Sequence, residues 1–534
     1  MTSGGVTGAR ATRLDRVLNV LERVGNRLPE PFLLFGLLLA VVAVVSTVVA
    51  AFGVTVRIPG AAREIPVRGA FSGAGLEFLF TEMPGNFIGF PPLQTVITIM
   101  LAVGLAERTG LLTALVRAAF GGAPRWVLPY AVGLVGITSS VMADSSMIII
   151  PPLAALVFKA AGRHPVAGLL GGFAAVGAGY STAPVVTSLD GLFSGISNKV
   201  AETLPHAGTP VTPVSNYFFN LVSSIVLGLL AGWLIDKVVE PRLVRTGVPR
   251  EHADGDGQDT AHEHVGGEGR ETAHEGIELR GAERRGLVWA GSALLAATAA
   301  TVVLVLWPDS PLRNESGGFL PDSPLMDSVT TLTFLAFLVP GIAYGASVGT
   351  ISRAADVPKL MGEALRDMSG FLVLAFMLGQ FIALFNWTNL GSLLAVSGAD
   401  LLRGLGLDGY PAFVGFMVLA SVLNLFIISG SSLWTLMASV FVPMFVLLGF
   451  EPGFAQAAFR VGDSATQIMT PLNPYMIIIL GYLRRYEPGA GLGTLVARMT
   501  PFVVPFWLTW ALILTVFYYA DLPLGPGMGI HIGR

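Results

Sequence analysis

Arg460 and Asp463 stand three residues apart in the stretch Glu451-Pro452-Gly453-Phe454-Ala455-Gln456-Ala457-Ala458-Phe459-Arg460-Val461-Gly462-Asp463-Ser464-Ala465-Thr466, among small and apolar neighbours. On a helix, residues i and i+3 share a face. A guanidinium and a carboxylate placed this way suit a substrate or ion site, or they form a structural ion pair that pins helix register. A charge at the centre of a bilayer costs about 2.5–3.5 kcal/mol, so one that persists there faces a partner or a water-filled cavity. Asp190 ends an uncharged run and reads as a proton or ligand site, or as an interfacial aspartate. Asp144 lies among Ser139, Ser140, Ser145 and Ser146, where ion coordination competes with helix N-capping. Asn424 precedes the polar knot Ser429-Gly430-Ser431-Ser432. Its amide oxygen suits a hard cation such as Na⁺, or a helix–helix hydrogen bond. Trp434 follows the knot and reads as a packing residue or as a surface on which an aromatic substrate stacks.

The elements that hold these residues are set by the distribution of charge. Of 534 residues, 53% are hydrophobic and only 13% charged, against roughly a quarter in a soluble chain. Mean hydropathy is +0.69. Residues 1–31 and 236–288 carry 28 of the 67 charged residues. Two polar islands in an apolar sea indicate an all-α polytopic membrane protein and exclude a soluble enzyme. No basic excess points to nucleic acid as a partner. With no cysteine, disulfides, thiolate metal sites and a cysteine nucleophile are excluded.

The 21-residue run Phe32–Phe52 suits a first crossing and exceeds a signal-peptide core. Arg10, Arg13, Arg16, Arg23 and Arg27 place its N-terminal side in the cytoplasm. Residues 53–86 are expected to form an extracytoplasmic loop. The organisation expected is a cytoplasmic segment 1–31, a membrane half 32–235, a linker 236–285 and a second membrane half 286–534. The linker is acidic and holds His252, His262, His264 and His274 at a spacing that matches no defined metal site. Its composition predicts cytoplasmic disorder. The uncharged run Gly409–Phe450, at 42 residues, is too long for one crossing. A re-entrant hairpin with its tip near Gly430–Ser432 accounts for it, because non-helical backbone at membrane depth must be buried in protein or line water. Two ordinary helices joined by a short turn are the alternative. Arg484, Arg485 and Arg498 predict another cytoplasmic loop, so the number of crossings is odd.

An internal repeat connects the two halves. Asp144 and Ser431, Ser145 and Ser432, Pro165 and Pro452, and Pro184 and Pro471 are all separated by 287 residues. Each unit reads as a hairpin followed by a helix broken at Pro184 or Pro471. Proline removes an N–H and frees a carbonyl one turn back. In secondary transporters, paired repeats with interrupted helices enclose the substrate near the membrane midplane.

The sequences Ser431-Ser432-Leu433-Trp434, Phe441-Val442-Pro443-Met444, Arg460-Val461-Gly462-Asp463-Ser464 and Thr470-Pro471-Leu472-Asn473-Pro474-Tyr475 resemble the p-aminobenzoyl-glutamate transporter (AbgT) family. So does Glu22-Arg23-Val24-Gly25-Asn26-Arg27-Leu28-Pro29, leading into Pro31-Phe32. The resemblance implies about nine transmembrane helices plus two re-entrant hairpins, in an inverted-repeat secondary transporter. It implies a homodimer in the lipid of the inner membrane. The substrate implied is p-aminobenzoyl-glutamate for import, or sulfonamide antimetabolites for export, with Na⁺ or H⁺ as the coupling ion and no cofactor. Substrate-binding positions carry over to Asp190, Ser431, Trp434, Pro452, Arg460, Asp463 and Pro471, and Na⁺ positions to Asn424 and Asp463. In this scheme Trp434 stacks on the aromatic ring, Arg460 pairs with a carboxylate, and Asp463 holds Arg460, binds Na⁺ or exchanges a proton. The rival readings are the same fold carrying dicarboxylates or short-chain acids, a channel, and an intramembrane aspartyl protease.

Overall fold

The computed structural model describes residues 29–59, 64–121, 123–142, 144–205, 207–249, 279–320 and 323–533. The N-terminal arginines, the linker histidines and the side chain of Asp144 lie outside the described residues.

Helix α1 (Pro31–Ala51) opens on a proline, whose missing N–H is no loss in the first turn of a helix. The segment expected as a plain loop holds more structure. It carries the strands β1 (Thr55–Val56) and β2 (Ile65–Pro66), paired antiparallel, then the short helices α2 (Gly73–Thr81) and α3 (Met83–Ile88). Helices α4 (Pro91–Arg108) and α5 (Leu111–Gly121) meet at a 62° bend. Gly110 makes that bend with a φ of 89°, which a side chain would resist.

The first repeat follows. It comprises α6 (Leu128–Thr138), a 3₁₀ turn (Ser139–Met142), α7 (Asp144–Ala160), α8 (Pro165–Ala178) and α9 (Ser188–Ala201). Next come α10 (Tyr217–Arg245), α11 (Gly281–Leu306), α12 (Val329–Val348), α13 (Asp356–Asp367), α14 (Ser369–Trp387) and α15 (Leu390–Gly404). The second repeat is α16 (Tyr410–Asn424), α17 (Gly430–Leu447), α18 (Pro452–Ala465) and α19 (Tyr475–Tyr486), and α20 (Leu492–Tyr519) ends the helical order. A shift of 287 residues lays α8 on α18 from first residue to last, and the break 179–187 on the break 466–474. The periodicity of a few prolines and serines thus extends to whole elements. Pro165 and Pro452 each sit in the first turn of their helix, and Pro184 and Pro471 each lie within a break.

Two expectations shift. The polar knot is the start of α17, and the turn between α16 and α17 is residues 425–429. The hydroxyl of Ser429 accepts the Ser432 N–H at 3.4 Å, an N-cap that satisfies a donor the helix cannot. The helix before the linker also runs to Arg245, ten residues past the expected boundary at 235. Asp236 and Glu240 on that extension both bind Arg163 at the α7–α8 corner, and Glu240 also accepts the His164 N–H at 3.0 Å. The extension also buries Val239 and Leu243 against the core.

Small residues set the packing. A Cβ on Gly462 would collide with Met417 and Ala420, so α18 and α16 touch nearly backbone to backbone. All residues of α8 and α18 are buried, which puts the first halves of both broken helices at the centre of the molecule. α1 packs on α14, and α12 packs on α4 and α11, to form the surroundings. Seven helices among the described residues are long and apolar enough to cross a membrane, or eight with the bent α4–α5 pair. That set includes the hairpin arm α17 and omits the broken helices, whose halves are 14 residues or fewer. Among the described residues, nine crossings follow when the bent pair and each broken helix count as one span and α17 as none.

Candidate functional site

Arg460 lies in the third turn of α18 and reaches across to the first repeat. Its Nη2 donates to Asp190 Oδ1 at 2.7 Å, with side chains 1% and 5% exposed. Its Nη1 donates to the Ser181 carbonyl, which the first break has freed from helix bonding. The guanidinium carbon sits 5.3 Å from the centre of the Phe193 ring, within cation–π range.

Asp190 is held from several sides. Its Oδ2 accepts the Thr187 N–H and the Thr187 hydroxyl, both at 2.8 Å, so it closes a capping box at the start of α9. Its Oδ1 also accepts from Asn220 Nδ2 on α10 at 3.1 Å. The Asn220 carbonyl accepts the Thr182 hydroxyl at 3.0 Å. One residue of α10 therefore ties both ends of the break. The first break also meets the last turn of α18 directly, through Ser181 Oγ and Ser464 Oγ at 2.7 Å.

The expected contact of Arg460 with Asp463 is not made. Arg460 finds a carboxylate, a carbonyl and an aromatic face on the other repeat, and Asp463 turns toward the second hairpin. Asp463 Oδ2 is buried without a hydrogen-bond partner among the described residues. A Cβ on Gly430, at the start of α17, would sit 3.2 Å from that oxygen and 3.1 Å from the Tyr180 ring. The backbone carbonyl of Asp463 accepts from Asn424 Nδ2, which donates also to Thr466 Oγ1 at 3.0 Å. Asn424 Oδ1 is the second buried oxygen here without a partner among the described residues. A carboxylate and an amide oxygen, both without a partner among the described residues, are hard ligands of the type Na⁺ takes. Among the described residues there is no cluster of three His, Cys, Asp or Glu able to hold a metal.

Trp434 is fully buried. Its ring lies 4.7 Å from Phe459 and 6.2 Å from Phe193, and its Nε1 donates to the Phe193 carbonyl at 3.2 Å. It thus belongs to the same aromatic group that Arg460 touches. Ser431 Oγ lies 3.0 Å from Ser429 Oγ in the cap of α17. Pro452 starts α18, two turns from Arg460, and is set apart from the charged cluster. Pro471 lies in the break that begins at Thr466, where the Thr470 hydroxyl bonds the Leu425 carbonyl at 2.7 Å.

Sequence reasoning missed Asn220, Thr187, Ser181 and Phe193. A signal for Asn220 was present: Asn216 and Asn220, four apart in an uncharged run, mark one polar helix face. A cavity of about 820 Å³ lies beside the first hairpin, bounded by Met142, Pro184, Val186, Tyr217, Leu294 and Pro340 among others. Its lining carries no charged residue.

The geometry has close relatives. The p-aminobenzoyl-glutamate transport protein of Escherichia coli (strain K12) is 38% identical over 508 residues, which cover 95% of this chain and 96% of that protein. The YdaH transporter of Alcanivorax borkumensis superposes with a TM-score of 0.83 at 34% identity, over 93% of this chain and all of that one. The MtrF protein of Neisseria gonorrhoeae, described as illuminating a class of antimetabolite efflux pumps, superposes with a TM-score of 0.85 at 34% identity, over 96% of this chain and all of that one. Residues 16–532 match the AbgT putative transporter family, and the chain belongs to that family of multi-pass membrane transporters.

Proposed function

We propose that this transporter carries p-aminobenzoyl-glutamate or related aromatic carboxylates and sulfonamide antimetabolites, driven by a Na⁺ or proton gradient, as a homodimer in the inner membrane with its N-terminus in the cytoplasm. The observation that carries the reading is the Arg460–Asp190 bridge between the two broken helices. A buried guanidinium that already holds one carboxylate oxygen can exchange it for one from the substrate, because both are anionic acceptors for the same N–H. Breaking that bridge frees the breaks to move, so substrate binding and conformational change share one bond. The aromatic group of Trp434, Phe459 and Phe193 beside it suits a substrate ring. Asn424 Oδ1 and Asp463 Oδ2 supply the coupling-ion ligands.

Purified protein in proteoliposomes tests this. Labelled p-aminobenzoyl-glutamate or a labelled sulfonamide is expected to accumulate only under an imposed Na⁺ or proton gradient. Asn424→Leu is expected to remove a Na⁺ response while the protein still folds. Gradient-independent flux through single-channel openings would sink the reading in favour of a channel. Preference for aliphatic over aromatic carboxylates in competition would move it to a dicarboxylate carrier.

A further inference from the structure

Asn216, the N-cap residue of α10, and Asn220 in its first turn face Gln456 and Arg460, one turn apart on α18. Asn216 Nδ2 donates to Gln456 Oε1 at 2.8 Å, and Asn220 Nδ2 donates to Asp190 Oδ1 at 3.1 Å. These bonds consume one half of each amide. Asn216 Oδ1, Asn220 Oδ1, Gln456 Nε2 and Arg460 Nε are left buried with no partner among the described residues. All four side chains belong to residues no more than 3% exposed. An unsatisfied buried group pays its desolvation with no bond in return. A folded protein keeps only a few per hundred residues, yet this seam gathers four within two helical turns. Two are acceptors and two are donors, so the set is complementary to a group that both donates and accepts.

A secondary amide has that character: one N–H and one C=O. We propose that the Asn216–Asn220–Gln456 seam is a subsite for the amide of an N-acyl amino acid, with its adjacent carboxylate on Arg460. The substrate N–H donates to an asparagine Oδ1, and the substrate carbonyl accepts from Gln456 Nε2. This deepens the reading above, on which it rests, by assigning recognition to the bond that joins the aromatic acid to the amino acid as well as to the ring. A site built to hydrogen-bond an N–H rejects an analogue lacking it, because its own acceptors are then left unpaired.

The test compares two substrates in proteoliposomes: p-aminobenzoyl-glutamate and its ester isostere, in which oxygen replaces the amide N–H. Ring, carbonyl and carboxylates are unchanged. Wild-type protein is expected to transport the ester with kcat/KM at least tenfold lower. Asn216→Ala, which leaves Asp190 and its partners intact, is expected to shrink that preference to less than threefold. The wild-type ratio needs no variant to fold. Equal transport of amide and ester by wild type overturns the subsite alone. Absence of uptake of both overturns the substrate reading and the subsite with it.

Discussion

Arg460 and Asp190 are each nearly excluded from solvent, and each carries a full charge whose removal from water is offset by the other. Breaking such a pair on one side leaves a bare buried charge, which costs about 3–5 kcal/mol. Asp190→Ala and Arg460→Ala are each expected to lose that much stability and all measurable uptake. The double variant Asp190→Leu with Arg460→Met removes both charges, and is expected to unfold between the single variants and wild type, because the bonds from Thr187 and Asn220 are still lost, and still to transport nothing. Thermal unfolding in detergent, read beside uptake, separates a strut from a working bond; uptake restored in the double variant would make the pair a strut. Trp434 poses the same question for an aromatic residue. Trp434→Ala is expected to cost about 3–5 kcal/mol because it empties a core position. Trp434→Phe keeps a ring and is expected to retain at least a third of the uptake, whereas Trp434→Leu, apolar without a π face, is expected to fall below a tenth. Equal uptake for the Phe and Leu variants would show that volume alone matters.

At the scale of elements, the start of α17 is where the hairpin meets Asp463 Oδ2, one of the proposed coupling-ion ligands. A methyl on Gly430 would approach Asp463 Oδ2 to 3.2 Å and Tyr180 to 3.1 Å, closer than most carbon contacts. Gly430→Ala is expected to fold, since it lies in the first turn of a helix, and to raise the Na⁺ or proton concentration at half-maximal uptake severalfold. An unchanged ion dependence would disconnect the hairpin from the ion. The elements themselves were largely legible in the sequence, because uncharged runs and proline positions follow from the cost of burying charge and the geometry of proline. The 287-residue repeat fixed the register of α8 on α18 before any contact was known. Partnership was not legible. Arg460 and Asp463 lie on one helix and suggest each other by spacing, yet Arg460 binds Asp190 on an element 270 residues earlier. Spacing reports which residues share a face, and a long guanidinium side chain selects its partner from whatever faces it. The expected tip at the serine knot missed for a related reason: serines both line polar turns and cap helices, and here they cap.

In the whole molecule, the break of the first repeat is joined to the last turn of α18 in the second by a direct bond between side chains of like type, Ser181 Oγ to Ser464 Oγ at 2.7 Å. If transport proceeds by one repeat unit moving against the other around the site, as paired broken helices imply, this contact opens and closes in each cycle. The chain contains no cysteine, so a pair introduced at these positions is the sole source of a disulfide. A hydroxyl separation of 2.7 Å permits a sulfur–sulfur bond of about 2.05 Å after small side-chain rotations. The variant carrying Ser181→Cys and Ser464→Cys is expected to transport when reduced, to stop when oxidised, and to recover when reduced again. Each single variant is expected to ignore the oxidant. Oxidation that forms the crosslink in full, shown by mass spectrometry of the joined peptides, with uptake unchanged would mean that the breaks travel together. The moving boundary would then lie elsewhere, and the Arg460–Asp190 bond would persist through the cycle as part of one rigid centre.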